Sequence, residues 1–278
     1  MKILHRIAFV ASEADRRDID RLGVKLQPTG KVPAGFISFD ASESDPNWPA
    51  VHDWIEQRGL GVHWVRTVFS TREVDEACWL NLQPDWHHGY PQPEGGFAYT
   101  RTTYDPQDYC RLCGVGGRQR GPFAMSGEPA WGTRGILQLN WVFDEYFVIP
   151  EVAATVFGPY GIGTRPVTNR RGAELRTVLQ LDIHERVSLR IEGLPSETCG
   201  ECGRLKFEPV TRGPFPALAS EPSGHMARTN ELFGTGSEAH NEVIVSQALG
   251  RAMRNAGVKG ASFRPVIGNA PIATPTAS

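Results

Sequence analysis

Two identical Cys-x-x-Cys-Gly segments constrain this chain more than any other feature of its sequence. They occupy residues 110–114 and 199–203. A Cys-x-x-Cys turn can bring two sulfur atoms to one metal ion, and two such turns supply the four thiolates of a closed tetrahedral zinc site. The sequence therefore predicts one structural Zn²⁺ per chain, with four ligands: Cys110, Cys113, Cys199 and Cys202.

The residues around the cysteine pairs favour a metal site over redox chemistry. Each pair is followed by a glycine, Gly114 or Gly203, which allows the positive φ that turns backbone N–H groups toward the sulfurs. The alternative is two unrelated pairs, one of them redox active. Redox pairs usually open a helix after a strand, whereas glycines follow the first pair and a strand-like segment follows the second. The fifth cysteine, Cys78, is predicted to be a buried thiol on a helix face.

Length and charge exclude several classes of protein. The chain has 278 residues, 40% of them hydrophobic, and can bury a core without disulfides. A net charge of −2 argues against a strongly basic nucleic-acid binder. No apolar run approaches the roughly 18 residues of a membrane helix, and the first residues lack the apolar segment of a signal peptide. We expect a cytoplasmic protein with reduced thiols and no membrane partner.

The pattern of apolar residues predicts an α+β fold with mixed or antiparallel sheets. In this fold a split zinc ribbon joins two halves of the protein. Its two knuckles are separated by a long β-rich insertion, because residues 114–198 lie between the cysteine pairs. Four segments are expected: an N-terminal α+β region 1–108, the ribbon with its insertion 109–222, a C-terminal helix and strand 223–266, and a flexible tail 267–278. Strands are predicted at 3–10, 62–69, 136–149, 177–191 and 261–266. Three helices are predicted: one at 49–57, one that follows a capping box at 70–73 and ends near residue 81, and one at about 238–256. A flexible basic loop is expected at 161–172.

A loop rich in Pro, Gly and His, residues 83–96, is long for a compact domain and is a candidate functional segment. Its candidate residues are Trp86, His87, His88 and Tyr90. The two histidines could serve a second metal or act as a general base. Alternatively, they are surface histidines flanked by packed aromatic rings.

Charged residues at three other places leave alternatives open. Asp144 and Glu145 interrupt an apolar strand, where paired carboxylates are either catalytic or bound to nearby arginines. Asp182 and His184 share a strand face and could form an acid–base pair or lie in solvent. Arginines gather at the first knuckle, as in zinc ribbons that touch nucleic acid, but glutamates at the second knuckle offset them.

The two knuckles, YCRLCG at 109–114 and CGECG at 199–203, resemble the bacterial double-CXXCG proteins, known as paralogues in myxobacteria. The C-terminal segments FGTGS at 233–237, VSQ at 245–247 and GASFRPV at 260–266 are also similar. The resemblance implies that the four cysteines are ligands and that the protein is a non-enzymatic immunity protein, which neutralises a cognate toxin by binding it. It supplies no catalytic residue and does not extend to residues 1–108.

The leading functional hypothesis is a cytoplasmic, zinc-binding protein that acts by binding another protein, such as a cognate toxin. Two alternatives remain. One is a nucleic-acid-binding or defence-associated zinc-ribbon protein. The other is a hydrolase that uses Asp144 and Glu145 together with His87 and His88.

Overall fold

The chain has an α+β fold with mixed sheets and, in its described part, six helices. A computed structural model describes residues 1–27, 34–59 and 63–268. Two compact units divide the chain: residues 1–73 with 210–214 form unit 1, and residues 74–209 with 215–278 form unit 2. The four segments expected from the sequence stay a prediction. Most of the expected tail, and residue 62 of an expected strand, lie outside the described residues.

Unit 1 is an antiparallel three-stranded sheet with two helices, and its strands lie in the order β2-β1-β3. Its elements are β1 Lys2–Val10, α1 Glu13–Arg21, β2 Phe36–Ser42, α2 Trp48–Arg58 and β3 His63–Val68. Its core consists of six buried residues: Ile7, Ile19, Ile37, Phe39, Val51 and Ile55. The strand predicted at 3–10 and the helix predicted at 49–57 are confirmed.

Local sequence signals set the helix ends in unit 1. Ser12 caps α1, since its hydroxyl accepts from the Asp15 N–H while the Asp15 carboxylate accepts from the Ser12 N–H. Helix α2 has Pro49 in its first turn, where no N–H partner is needed, and ends at Gly59 with φ of 59°. The sequence therefore determines where both helices begin.

A five-stranded mixed sheet, in the order β7-β10-β11-β9-β8, forms one half of unit 2. Its strands are β7 Ala124–Met125, β8 Ile136–Leu137, β9 Phe147–Val148, β10 Gly163–Asn169 and β11 Glu174–Asp182. The fully buried rings of Phe123 and Phe147 meet edge to face in the core cluster of this half, with centroids 5.4 Å apart. Burial of each ring contributes about 1.5–3 kcal/mol.

A seven-stranded mixed sheet forms the other half of unit 2. Its order is β13-β14-β15-β16-β4-β17, and β12 pairs with β15. Its strands are β4 Trp79–Pro84, β12 Arg186–Val187, β13 Ser196–Thr198, β14 Leu205–Phe207, β15 Met226–Phe233, β16 His240–Ser246 and β17 Ala261–Pro265. A short pair, β5 Tyr104–Asp105 and β6 Arg118–Gln119, lies outside both sheets. The strand predicted at 261–266 is confirmed.

The remaining helices are short. They are α3 Thr71–Glu76, α4 Tyr99–Thr103, α5 Pro150–Val152 and α6 Gln247–Asn255. The predicted capping box of α3 is confirmed, because the Ser70 N–H donates to the Glu73 carboxylate and the Glu73 N–H donates to the Ser70 hydroxyl. Among the described residues, no helix is long and apolar enough to cross a membrane.

Three predictions about unit 2 are wrong. Residues 136–149 are not one strand, because β8 and β9 pair with each other across an irregular loop. The helix expected from residue 238 begins at Gln247, since the apolar run before it is the buried strand β16. The basic loop at 161–172 is mostly strand β10.

Helix α3 and Cys78 also differ from the prediction. The helix ends at Glu76, and the chain then enters β4 at Trp79. Cys78 lies between these elements and is exposed, so it is not a buried core thiol. The apolar residues after Ala77 pair with β16 and β17, and this long-range pairing outweighs the local helix signal.

Candidate metal centre and adjoining cleft

The two knuckles, residues 110–115 and 199–204, have the same backbone hydrogen bonds. In the first, the Cys110 N–H donates to the Val115 carbonyl over 2.8 Å and the Gly114 N–H donates to the Cys110 carbonyl over 2.9 Å. In the second, Cys199 and Gly203 donate in the same way, over 2.9 Å each. Gly114 and Gly203 have φ of 75° and 72°, as the sequence predicts. The two segments therefore fold into equivalent turns.

The four cysteine sulfurs converge on one point. All four Sγ atoms lie within 4.8 Å of one another. Cys110 and Cys199 are 3.8 Å apart, and Cys113 and Cys202 are 3.6 Å apart. A disulfide needs about 2.05 Å, so neither pair is bonded. Sulfurs placed about 2.3 Å from a tetrahedral zinc ion stand about 3.8 Å from each other, which matches both distances. The donor set can hold a metal ion.

Burial and backbone hydrogen bonds give the thiols different acidities. A backbone hydrogen bond from Arg204 lowers the pKa of Cys202 to about 6, whereas burial raises the pKa of Cys113 to about 12. Cys202 is the less buried of the two. The Cys202 thiol therefore loses its proton more readily than the Cys113 thiol, and the thiolate is the form that binds metals.

Side chains from the second knuckle tie the metal centre together. The guanidinium of Arg204 donates to the Asp108 carbonyl over 2.9 Å and to the Val115 carbonyl over 3.4 Å, so it joins the two knuckles. The buried Lys206 donates to the Gly236 carbonyl over 3.2 Å and pairs with Glu197 at 2.6 Å. Arg204 of the second knuckle is therefore bonded to the first knuckle, and Lys206 of β14 is bonded to the turn near residue 236.

No family model, curated protein or solved structure matches this chain.

A cleft of about 1360 Å³ lies beside the metal centre, entirely within unit 2. Its lining includes residues of both knuckles, among them Arg111, Gly114 and Arg204. Two aromatic residues, Phe97 and Trp141, also line it. A polar group of seven residues completes this part of the lining: Asp144, Glu145, Arg165, Gln180, Asp182, Arg186 and Arg228. A concave site with convergent polar groups is the usual form of a binding site.

Glu145 is a deeply buried charged residue of the cleft lining. Its carboxylate lies 2.6 Å from the Arg228 guanidinium and accepts from the Gln180 amide over 2.8 Å. Burial raises its pKa above the ordinary value, Arg228 opposes this, and Asp144 adds to it. Arg228 also donates to the Asp144 and Ile183 carbonyls over 3.2 and 2.5 Å. Asp144 and Glu145 are therefore held in a hydrogen-bonded network.

A second charged cluster in the cleft lining joins Arg165, Asp182 and His184. Asp182 lies 2.7 Å from the Arg165 guanidinium and 2.8 Å from the His184 ring. The pairing of Asp182 with His184, one of the two interpretations of the sequence, is present. The His184 side chain is 73% exposed, so the pair faces open solvent.

The histidines of the loop at 83–96 lie elsewhere. The backbone of His87 forms an isolated parallel β-bridge with Gln138, and the His88 backbone N–H donates to the Gln138 carbonyl over 2.9 Å. Burial lowers the pKa of both rings. The described walls of the cleft contain Asp144 and Glu145 but neither His87 nor His88. The structure does not bring together the four residues of the hydrolase hypothesis in this cleft.

Aromatic contacts anchor the same loop. The Trp86 ring packs against Trp131 at 5.6 Å and lies 4.6 Å from the Arg134 guanidinium. The Tyr90 ring contacts the Trp141 ring, with centroids 4.4 Å apart and planes tilted by 51°. The cleft residues Phe97, Arg186 and Arg228 were not singled out from the sequence, because they come from distant segments. The one local signal in the sequence is the pair Gly95 and Gly96, just before Phe97, which indicates an unusual backbone conformation at Phe97.

Proposed function

We propose that Cys110, Cys113, Cys199 and Cys202 bind one Zn²⁺ ion in a closed tetrahedral site, as a split zinc ribbon. The observation that supports it is the convergence of four thiols at the sulfur spacing of such a site. Thiolates favour Zn²⁺ over hard cations such as Mg²⁺ and Ca²⁺. Four protein ligands leave no open position, so the ion contributes folding stability and not catalysis.

Cobalt substitution tests the proposed coordination. Co²⁺ bound to the metal-free protein should give the intense visible absorption of tetrahedral thiolate ligation, and one equivalent of Zn²⁺ should abolish it. Weak absorption typical of octahedral oxygen ligation would contradict the proposal. Cys78→Ser, which changes the exposed fifth cysteine, is the matched control and should leave the spectrum unchanged.

We further propose that the protein is non-enzymatic and acts by binding another protein, as an immunity protein binds its cognate toxin. The support is the resemblance of the two knuckles and the C-terminal segments to the double-CXXCG proteins. In this proposal the zinc ion is a clasp between distant chain segments, and charged surface residues give the partner specificity.

Co-expression tests this second proposal. A protein captured by the tagged chain from its native host should be toxic when expressed alone and harmless when this chain is expressed with it. Protection should fail for a Cys110→Ser chain that no longer holds its fold, and should persist for Cys78→Ser. A captured protein whose toxicity is unchanged by the wild-type chain would contradict the immunity role.

A further inference from the structure

Two aromatic residues at the side of the cleft have a left-handed backbone. Phe97 has φ of 55° and Trp141 has φ of 67°, and no other non-glycine residue in the described ranges has a positive φ. Bulky side chains rarely adopt this region, and such strain clusters at ligand sites. The two rings are in contact, with centroids 4.4 Å apart and planes tilted by 42°, although they come from segments far apart in the chain.

Specific contacts hold these two residues in place. The Tyr99 hydroxyl donates to the Trp141 carbonyl over 3.3 Å, and the Thr100 hydroxyl donates to the Phe97 carbonyl over 2.8 Å. Tyr90 covers another part of the Trp141 ring. Phe97 is nevertheless 51% exposed, so one of the two rings is open to solvent at the cleft. An exposed aromatic face that is held in place can stack on another planar group.

The cations of the cleft are all arginines. Seven arginines and no lysine line it, together with five carboxylates. Arg165 and Arg228 form ion pairs with three of these carboxylates. Two further arginines are held by other groups: Arg186 donates to the Asn241 amide oxygen, and Arg204 donates to two carbonyls and faces the Cys202 sulfur. Among the described residues, the side chains of Arg101, Arg111 and Arg118 have neither a carboxylate nor another hydrogen-bond partner, so these three guanidinium groups are available to an anion.

We propose that this cleft binds nucleotides of a single-stranded nucleic acid. An unpaired base stacks on the exposed ring of Phe97, and Arg101, Arg111 and Arg118 bind the phosphates. Planar guanidinium groups suit phosphate oxygens, and aromatic stacking with a positive groove is the usual means of binding single strands. A volume of about 1360 Å³ exceeds the roughly 300–1,000 Å³ of small-molecule pockets and accommodates several nucleotides. The proposal depends neither on a protein partner nor on the identity of the metal.

Fluorescence anisotropy with labelled dT12 and rU12 tests the proposal on the full-length protein. Binding should be seen at about 50 mM salt and should weaken as salt rises, because phosphate contacts release counterions. Absence of binding of both probes at protein concentrations on the order of 10⁻⁴ M, the weak end of non-specific binding, would overturn it.

Two substitutions separate stacking from charge. Phe97→Gly removes the ring and fits the positive φ, so it should lower affinity about 10-fold while the fold is kept. Arg101→Ala with Arg118→Ala should reduce the slope of log K against log salt by about 1.4, the value for two phosphates of a single strand. Arg170→Ala with Arg171→Ala removes the same charge from an exposed turn outside the cleft and should leave the slope unchanged.

Competition identifies the source of the ligand. Displacement of dT12 by UMP indicates a mononucleotide site, and displacement by oligo(U) alone indicates a strand; both agree with the proposal. A duplex that binds as tightly as the single strand would overturn the stacking step. Displacement by polyglutamate together with wild-type affinity in Phe97→Gly would show instead a site for acidic protein segments.

Discussion

The guanidinium of Arg228 lies 2.6 Å from the carboxylate of Glu145, and both side chains are almost fully buried. The two residues come from different parts of unit 2. Arg228 is in β15, while Glu145 precedes β9. Because each buried charge depends on the other, the pair constrains both halves of the unit, whatever the cleft binds.

Removing Arg228 should destabilise the protein strongly. Arg228→Met leaves the Glu145 carboxylate buried without its guanidinium and should cost about 3–5 kcal/mol at neutral pH. Urea unfolding measures this. The double variant with Glu145→Gln should recover part of the loss, because Gln180 can still donate to the new amide. If the double variant is less stable than Arg228→Met, the account of this pair is wrong.

The loss in Arg228→Met should shrink as the pH falls. Burial raises the pKa of Glu145, and removing Arg228 removes the opposing effect. A carboxyl whose pKa is raised by folding destabilises the fold above its unfolded pKa, and this effect disappears when it is protonated. Urea unfolding between about pH 8 and pH 5 should therefore show the two proteins converging toward low pH. A constant or growing difference would contradict this.

The glycines of the two knuckles should respond differently to alanine. Both have a positive φ, so Gly203→Ala, with open space around it, should cost about 1–2 kcal/mol. At Gly114 the added Cβ would lie 2.3 Å from the backbone oxygen of Ser237, so Gly114→Ala should cost more than its counterpart. Denaturant unfolding of both zinc-loaded variants measures the difference. Equal losses would show that the Ser237 contact is not tight.

Asp40 should make the chain sensitive to acid. Hydrogen bonds from Arg6 hold the pKa of Asp40 below its ordinary value, against the opposing effect of burial. Its contribution is therefore present above about pH 4 and is lost as the pH falls through the lowered pKa. Asp40→Asn should lose about 1 kcal/mol at neutral pH and little at low pH. Asp53→Asn, an exposed carboxylate of α2, is the control, and an equal loss there would argue against a specific pair.

The parts of the structure that could be predicted from sequence depend on local chemistry. The capping box at Ser70, the stop of α2 at Gly59 and the equivalent glycine turns after each cysteine pair all follow from neighbouring residues. The convergence of the four cysteines was predicted because four thiols in two equal motifs share one plausible use.

The wrong predictions concern residues whose structure is set by distant partners. The apolar run in β16 looks like part of a helix until it is placed between β15 and β4, where it is buried on both faces. Residues 136–149 look like one strand, but the chain reverses after β8 and pairs with it again as β9. Asp144 lies in the connection between these two strands and lines the cleft. The cleft itself could not be predicted, because its rings and arginines meet only through tertiary contacts.

The metal stoichiometry of the cysteine variants tests the central claim most directly. Native mass spectrometry of the purified chain should show one zinc ion per chain, and Cys199→Ser should lose it together with thermal stability. Cys78→Ser should retain both. A wild-type chain that is equally stable without metal, or a Cys199→Ser chain that still holds one zinc ion with wild-type stability, would contradict the four-cysteine site.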